Sequence, residues 1–363
     1  MPRGEERSAR SPAELPGREA APGGRFLEAC ALRNAGPPPV WILRQAGRYL
    51  PEYREIRARR SFVEMCTNPE IATEVSLLPW RRYRFDAVVV FYDILFLAEA
   101  MGAPLRFEEG GPRFLRPVRT KADLRALRAP DVRALDPAEG TGAVSETIRR
   151  LRAELPGEVA VVGFAGAPFT LASYLVGEEV RTVLYRDPEF LLDLLSLLAE
   201  ASAEHLRAQI EAGADAVQLF DSSAGALGRE DYRRFALPFA RRVFDALRPS
   251  GRPAILYVNG SHHLLEDMAS SGASVLSVDW RADLAEARRR LGPGIALQGN
   301  LDPAALFQPP EGVRRSVRAV AESLRGDPGY IFNLGGGILP DTPPESVAAL
   351  VEEVRGAASA RRG

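Results

Sequence analysis

The chain has 363 residues, which suits one large α/β barrel or two ordinary domains, and its 46% apolar residues can fill a sizeable core. Its 47 basic and 48 acidic residues almost cancel, which argues against nucleic acid or an anionic membrane surface as the main partner. No run of 18 uncharged apolar residues occurs, so we expect no membrane-spanning helix.

The first 25 residues are rich in Pro, Gly, Glu and Arg and lack the apolar segment of a signal peptide. This composition predicts a disordered tail over residues 1–25, followed by a folded unit over residues 26–358. The only cysteines are Cys30 and Cys66, too few for a disulfide framework. That usage suits a reducing compartment, and we expect a cytoplasmic protein.

Eight apolar runs of four to six residues follow along the chain. They do not alternate with polar residues, a pattern typical of strands buried on both faces. These predicted strands span residues 40–43, 87–91, 159–164, 216–220, 254–258, 275–278, 295–298 and 330–333. Helical spacing predicts helices between them over residues 69–83, 141–155, 188–213, 229–248, 311–326 and 343–356.

The alternation of eight strands with helices predicts an α/β fold, a single (β/α)8 TIM barrel. A doubly wound open sheet is the alternative, but no G-x-G-x-x-G sequence follows any predicted strand. Residues 100–135 interrupt the alternation after the second strand, and we expect a loop or a hairpin on the rim there.

Arginines stand at the carboxyl end of the first predicted strand, where the loops of such a barrel build the active site. Arg44 and Arg48 follow this strand directly, and Arg57 lies a turn or two later. Their guanidinium groups could fork onto the carboxylates or phosphates of a ligand, or form a salt-bridged rim. The chain has 46 arginines and one lysine, so only the position of an arginine carries functional information.

Asp93 follows the second predicted strand, and Tyr174 and Ser222 follow the third and fourth. The carboxylate could cap its loop or, ionised near arginines, could stabilise a cation that forms during a reaction. Ser222 is not expected to be a nucleophile, because no G-x-S-x-G sequence surrounds it. The later strand ends carry Asn259, Gly260, Ser261, His262, His263, Asp279, Trp280, Gly299, Asn300, Asp302, Gly335, Gly336 and Gly337.

Residues that hold metals or organic cofactors are scarce. His205 lies inside a predicted helix, and the adjacent His262 and His263 cannot both face one metal ion from a helix. The one lysine, Lys121, lies in a charged surface stretch, which argues against Schiff-base chemistry. No phosphate-binding loop or other cofactor sequence occurs. We therefore expect acid–base chemistry without a metal or cofactor, on a substrate that supplies its own electron sink.

Six segments in register, between about residues 27 and 356, resemble the uroporphyrinogen decarboxylase family of haem biosynthesis. They read RQAGRYLPEYR, FYDIL, GAPFTLASYLV, QLFDSSAG, QGNLDP and FNLGGGILPDTP. The resemblance implies a single (β/α)8 barrel that pairs as a homodimer through the face bearing its cleft. It also implies that CO2 is removed from the four acetate side chains of uroporphyrinogen III, giving coproporphyrinogen III, without a metal or organic cofactor.

The resemblance implies roles for particular residues as well. Asp93 would accept the pyrrole N–H groups of the macrocycle and stabilise a cationic ring, with Arg44 as its catalytic companion. Tyr174 and Ser222 would donate hydrogen bonds to substrate carboxylates. The full implied substrate-binding set is Arg44, Gln45, Ala46, Gly47, Arg48, Arg57, Asp93, Tyr174 and Ser222.

Three departures from the family pattern stand out. Gly336 replaces a substrate-facing histidine, residues 176–180 carry acids where the pattern is glycine-rich, and Tyr92 replaces a serine. His262 or His263 could reach the place that the missing histidine leaves. The departures keep two alternatives open: a diverged, non-catalytic tetrapyrrole-binding protein, and a corrinoid-related methyltransferase, which would need a zinc–thiolate centre.

Overall fold

A computed structural model of the chain describes residues 23–108, 111–130 and 140–356. It shows an α/β fold built on a curled sheet whose seven strands are all parallel, in the order β1-β4-β5-β6-β7-β8-β9. The strands of the described residues are β1 Ala87–Val89, β2 Leu105–Glu108, β3 Gly111–Phe114, β4 Ala160–Gly166, β5 Ala216–Asp221, β6 Ala254–Val258, β7 Val275–Ser277, β8 Ala296–Leu301 and β9 Tyr330–Leu334.

Helices follow the strands and cover the outside of the sheet. Within the described ranges they are α1 Gly24–Cys30, α2 Pro51–Arg57, α3 Phe62–Thr67, α4 Pro69–Tyr83, α5 Phe96–Ala100, α6 Lys121–Ala126, α7 Gly140–Glu154, α8 Pro168–Val176, α9 Val180–Arg186, α10 Pro188–Glu211, α11 Arg229–Phe235, α12 Leu237–Leu247, α13 Leu265–Ala269, α14 Leu284–Leu291, α15 Pro310–Ser323 and α16 Pro344–Gly356. None of the helices in the described part of the chain is long and apolar enough to cross a membrane.

The predicted tail falls mostly outside this description, because residues 1–22 are not described. Helix α1 begins at Gly24, two residues before the predicted start of the folded unit. Residues 357 and 358, at the predicted end of that unit, also lie outside the described residues. The predicted excursion after the second strand contains an antiparallel hairpin of β2 and β3, as expected.

The prediction of a strand over residues 40–43 is wrong, since only Val40 makes a bridge, to Phe332 of β9. Backbone hydrogen bonds join this segment to β9 only around Val40, where the Trp41 amide donates to the Phe332 carbonyl at 3.4 Å, and side chains accept two other amides. The Val40 amide donates to Asp86 Oδ2 at 2.8 Å, and the Leu43 amide donates to Asn333 Oδ1 at 2.9 Å. The segment thus lies between β9 and the residue that precedes β1.

Apart from residues 40–43, the apolar runs predicted as strands do form strands. Their apolar side chains allow a strand to be buried on both faces of the sheet. Every residue of β4, β6, β8 and β9 is buried. Helix α10 is capped by Asp187, whose carboxylate accepts the Phe190 amide, and has Pro188 at its first turn. The predicted helix over 229–248 is instead two helices that part at Ala236, two residues before Pro238, which has no amide hydrogen to donate.

Candidate active site

Arg44 lies at the carboxyl-end rim of the sheet, directly after a buried apolar segment. Its backbone has φ of 60°, a left-handed conformation that is unusual for a residue with a large side chain. The side chain runs over Gly337, where an added Cβ would lie 2.7 Å from Arg44 Cδ. Among the described residues, its guanidinium has no hydrogen-bond or ion-pair partner, and it is exposed. A cation is therefore available at this rim.

The two residues after Arg44 turn toward the interior. Gln45 is fully buried, and its Nε2 donates to the Ala87 carbonyl at 3.3 Å. Its Oε1 has no partner among the described residues. Ala46 is partly buried against the core. The structure therefore places the Gln45 side chain below the rim rather than in the open cleft.

A second group of the predicted residues lines a cavity of about 530 Å³. Arg48 and Arg57 face it together with Arg54, Pro340 and Asp341. Arg54 Nη1 donates to the carbonyls of Arg48 and Tyr49, at 2.8 and 3.1 Å, and so fixes the turn that begins at Gly47. Three guanidinium groups with a single acid give this cavity a positive charge.

Asp93 lies in the loop after β1, half-buried. Its Oδ1 accepts the Leu95 amide at 2.9 Å, whereas Oδ2 has no hydrogen-bond partner among the described residues. Burial raises the pKa of Asp93, and the Leu95 amide and the nearby charge of Arg44 act in the opposite direction. The site thus brings Asp93 and Arg44 together and leaves one carboxylate oxygen able to accept.

Tyr92, beside Asp93, points away from the cleft into the interior. Its ring packs 5.4 Å from that of His205, between centroids, and both side chains are buried. Burial lowers the pKa of His205 to about 3, so this imidazole stays neutral. His205 lies in α10, as predicted, and is a packed residue of the interior.

Tyr174 and Ser222 both line a larger cavity, of about 880 Å³. Tyr174 stands on α8 and remains 44% exposed, and Ser222 follows β5 directly. A buried contact holds their two elements together, because Thr170 of α8 donates to Asp221 Oδ1 at 2.8 Å and accepts the Ser223 amide at 3.1 Å. The two hydroxyl groups therefore sit on a rigid support.

The same cavity includes Arg281, a residue that the sequence analysis did not single out. Its guanidinium carbon lies 3.7 Å from the centre of the Trp280 ring. Trp280 in turn lies against Gly336, where an added Cβ would be 3.0 Å from Trp280 Cζ3. The expected positions of Asn259, Asp279 and Trp280 at strand ends were signals in the sequence that pointed to this part of the site.

Neither of the two adjacent histidines takes the place beside Gly336, which Trp280 and Pro303 occupy. His263 Nε2 is 2.9 Å from the Leu227 carbonyl, and His262 is exposed. Within the described residues, no group of three or more His, Cys, Asp or Glu side chains is arranged to hold a metal ion. The altered loop contributes Gly177, Glu178 and Val180 to the larger cavity.

Tyr257 lies close enough to both Arg44 and Arg281 to be affected by their charges. Its pKa is raised by burial and by Asp279, and is lowered by the charges of both Arg44 and Arg281. Arg44 also acts on Asp93, and Arg281 shares its cavity with Tyr174 and Ser222. The cations, the carboxylate and the hydroxyl groups therefore share one rim of the sheet.

Comparison with known proteins gives a family and a fold. The sequence model described as uroporphyrinogen decarboxylase (URO-D) matches residues 22–357. The chain is 44% identical over 341 residues to the uroporphyrinogen decarboxylase of Methylococcus capsulatus, covering 91% of this chain and 96% of the relative. It is 46% identical over 334 residues to that of Syntrophotalea carbinolica, covering 90% and 96%.

Among solved structures, a methyltransferase from Methanosarcina mazei superposes with a TM-score of 0.80. The match covers 93% of this chain and 99% of that protein, at 23% sequence identity. A B12-independent methionine synthase from Shewanella gives a TM-score of 0.54 at 13% identity. These likenesses show a shared fold.

Proposed function

The chain belongs to the uroporphyrinogen decarboxylase family, and we propose that the rim around Arg44 and Asp93 is where it binds and decarboxylates uroporphyrinogen III. It is a carboxy-lyase of porphyrin biosynthesis. The proposed reaction converts each of four acetate side chains to a methyl group, with uptake of one proton and release of one CO2, and yields coproporphyrinogen III. The observation that carries the proposal is the pairing of an available guanidinium with a half-buried carboxylate at this rim.

The substrate has eight carboxylates, and arginines would hold them. Arg44, Arg48 and Arg57 supply three guanidinium groups from one short segment of the chain, and Tyr174 and Ser222 supply hydroxyl donors at the larger cavity. A charged hydrogen bond of this kind is worth roughly 1.5–3 kcal/mol when it is sheltered from water. Several together would orient the macrocycle over Asp93.

Asp93 would act on the ring. Protonation of a pyrrole carbon makes the ring cationic, and the cation accepts the electron pair of the C–C bond that releases CO2. An ionised Asp93 would accept pyrrole N–H groups through its free oxygen and stabilise this cation more strongly than the neutral ring. Arg44, whose charge lowers the pKa of Asp93, would help to keep it ionised.

The deciding experiment is anaerobic incubation of the purified protein with uroporphyrinogen III, followed by separation of the oxidised porphyrins by carboxyl number. We expect products with seven, six, five and finally four carboxylates, at a rate unchanged by a metal chelator. Uroporphyrinogen that is bound but recovered with all eight carboxylates would instead identify a non-catalytic tetrapyrrole-binding protein, the alternative raised by Gly336.

The proposal extends to the whole assembly. Residues 26–358 would form one (β/α)8 barrel, with the bridge at Val40 closing the gap between β9 and β1. Two barrels would pair through the face that bears the cleft, where Leu339 is 40% exposed beside the arginine-lined cavity. Sedimentation velocity would test the dimer.

Cys30 and Cys66, both buried free thiols, suit a cytoplasmic protein.

A further inference from the structure

Arg281 is held in one orientation by three neighbours. Its guanidinium lies over the ring of Trp280, with the carbon 3.7 Å from the ring centre. Nη1 donates to Asp279 Oδ2 at 2.6 Å and to Asn259 Oδ1 at 3.3 Å. Asp279 is fully buried, and its other oxygen accepts the backbone amide of Arg281 at 3.0 Å. This arrangement removes most of the conformational freedom that an exposed arginine usually has.

One edge of the guanidinium is left unused by these contacts. Among the described residues, the hydrogen bonds of the Arg281 side chain involve Nη1 alone, and 47% of the side chain is exposed. Nε and Nη2 are the pair of donors that bind a carboxylate in a bidentate manner. The residue lines the cavity that also contains Tyr174 and Ser222. At the proposed substrate site, Arg281 therefore holds in place a pair of guanidinium donors that can bind a carboxylate.

The place of Arg281 depends on the glycines that follow β9. An added Cβ on Gly335 would lie 2.3 Å from the backbone nitrogen of Trp280, and one on Gly336 would lie 3.0 Å from its ring. An added Cβ on Gly337 would lie 2.7 Å from Arg44 Cδ. Three consecutive glycines thus let Trp280 and the Arg44 side chain approach the same loop from two sides.

We propose that Arg281 is a further carboxylate-binding residue of the cleft, positioned by Trp280 and Asp279. The inference rests on the proposed function for the identity of its ligand, a carboxylate side chain of the tetrapyrrole. Arg281 binds this carboxylate in the cavity that Tyr174 and Ser222 also line, whereas Arg48 and Arg57 line the other cavity. Because Asp279 already neutralises part of its charge, its contribution is modest.

The test compares Arg281→Gln with Arg289→Gln, a matched control. Arg289 stands on the same stretch of chain, is exposed, and has no ion-pair partner among the described residues. We expect Arg281→Gln to raise KM for uroporphyrinogen about tenfold and to leave kcat within about twofold, since the residue acts in binding. Arg289→Gln should leave both unchanged. Arg281→Lys, which keeps the charge but not the flat fork, should recover part of the affinity.

A second measurement separates this inference from the proposed function. The dissociation constant of uroporphyrin, an octacarboxylate, can be measured by fluorescence quenching without any turnover. We expect Arg281→Gln to weaken this binding about tenfold. Because the substitution also removes the ion-pair partner of the buried Asp279, we expect its thermal unfolding to fall below that of the wild type, and the affinities are compared at a temperature at which every variant is folded.

Distinct results overturn the two claims. Equal KM and equal uroporphyrin affinity in the Arg281 and Arg289 variants, with an active wild type, would overturn the role of Arg281 and leave the decarboxylase function standing. An inactive wild type would overturn the function, and the uroporphyrin affinities alone would then decide on Arg281. A fall in kcat at constant KM would also overturn the binding role. Should Arg281→Gln fail to fold, Arg281→Lys decides: we expect a smaller rise in KM and a smaller loss of uroporphyrin affinity, and values equal to those of the wild type would overturn the role of Arg281.

Discussion

The carboxyl group of Asp93 is subject to opposing influences. Burial disfavours its charge, whereas the Leu95 amide and Arg44 favour it. A carboxylate in this balance has lost much of its hydration but stays within reach of a cation. It is therefore ready to stabilise positive charge that appears above it, with little reorganisation of solvent.

Asp93→Asn should lower kcat by about 100-fold or more, because the amide keeps the shape but not the charge. The free energy of unfolding should change by less than about 1 kcal/mol, since the amide oxygen can still accept from Leu95. Asp302→Asn is a suitable control, because Asp302 Oδ1 likewise accepts the amide two residues later, at 2.9 Å. Turnover retained in Asp93→Asn would contradict the mechanism.

Arg44 allows its charge and its backbone conformation to be separated. Arg44→Ala and Arg44→Gly both remove the guanidinium, and both should weaken substrate binding to a similar extent. Glycine adopts a φ of 60° without steric cost, so we expect Arg44→Gly to be more stable than Arg44→Ala by about 1 kcal/mol. Urea unfolding would measure the difference, and a more stable alanine variant would argue against strain at this residue.

The sequence could predict Arg44, Asp93 and Ser222 at one rim because each follows a predicted strand, and parallel strands bring their carboxyl ends together. It could not predict that Gln45 turns inward, since the turn depends on the left-handed backbone of Arg44. Arg281 was missed because one arginine among 46 carries no signal until its neighbours are known. Its functional edge is defined by contacts with Trp280 and Asp279 in three dimensions.

At the level of elements, residues 40–43 show that a buried apolar run need not be a β-strand. Its composition fits a buried strand, and it does lie in the expected place between β9 and β1. The Val40 and Leu43 amides donate to the side chains of Asp86 and Asn333, whereas the Trp41 amide donates to the backbone carbonyl of Phe332 at 3.4 Å. The apolar pattern of a sequence indicates which residues are buried, but it does not indicate which groups accept hydrogen bonds from their backbone amides.

Asp86→Asn tests how this segment is held. Asp86 accepts the Val40 amide at 2.8 Å with one oxygen and the Arg25 guanidinium at 2.7 Å with the other, and an amide cannot accept both. We expect a loss of about 1–3 kcal/mol in the free energy of unfolding and a higher KM, because Arg44 lies four residues beyond Val40.

Asp245→Asn serves as the control for Asp86→Asn, since Asp245 forms an exposed ion pair with Arg248 and should matter little. Urea unfolding and steady-state kinetics measure the two effects. Equal unfolding free energies in the two variants would show that the segment is held by other contacts.

At the scale of the whole molecule, buried ionisable groups make stability depend on pH. Burial raises the pKa of Asp221 from 3.8 to about 7, against the lowering effect of the Thr170 hydroxyl. Between about pH 4 and pH 7 the folded protein therefore keeps a proton that the unfolded chain has lost. The contribution of this group to the free energy of unfolding falls as pH rises through that window, and levels off above it.

Asp221→Asn removes this dependence while keeping an acceptor for Thr170. We expect the variant to gain stability relative to the wild type by more than about 1 kcal/mol between pH 5 and pH 7.5. His205, whose low pKa gives the opposite slope, is present in both proteins and cancels in the difference. Urea unfolding across this range is the measurement, and a difference independent of pH would show that Asp221 is ionised throughout.

Every cation that lines the two cavities is a guanidinium, and the one primary amine among the side chains, on Lys121, stands 56% exposed at the start of α6, 3.9 Å from the Glu189 carboxylate. Acylating reagents that react with amines should therefore modify Lys121 and the N-terminus and spare the cleft. Reagents selective for arginine, such as phenylglyoxal, should abolish activity. We accordingly expect the protein to turn over substrate after it is coupled to a solid support through its amines.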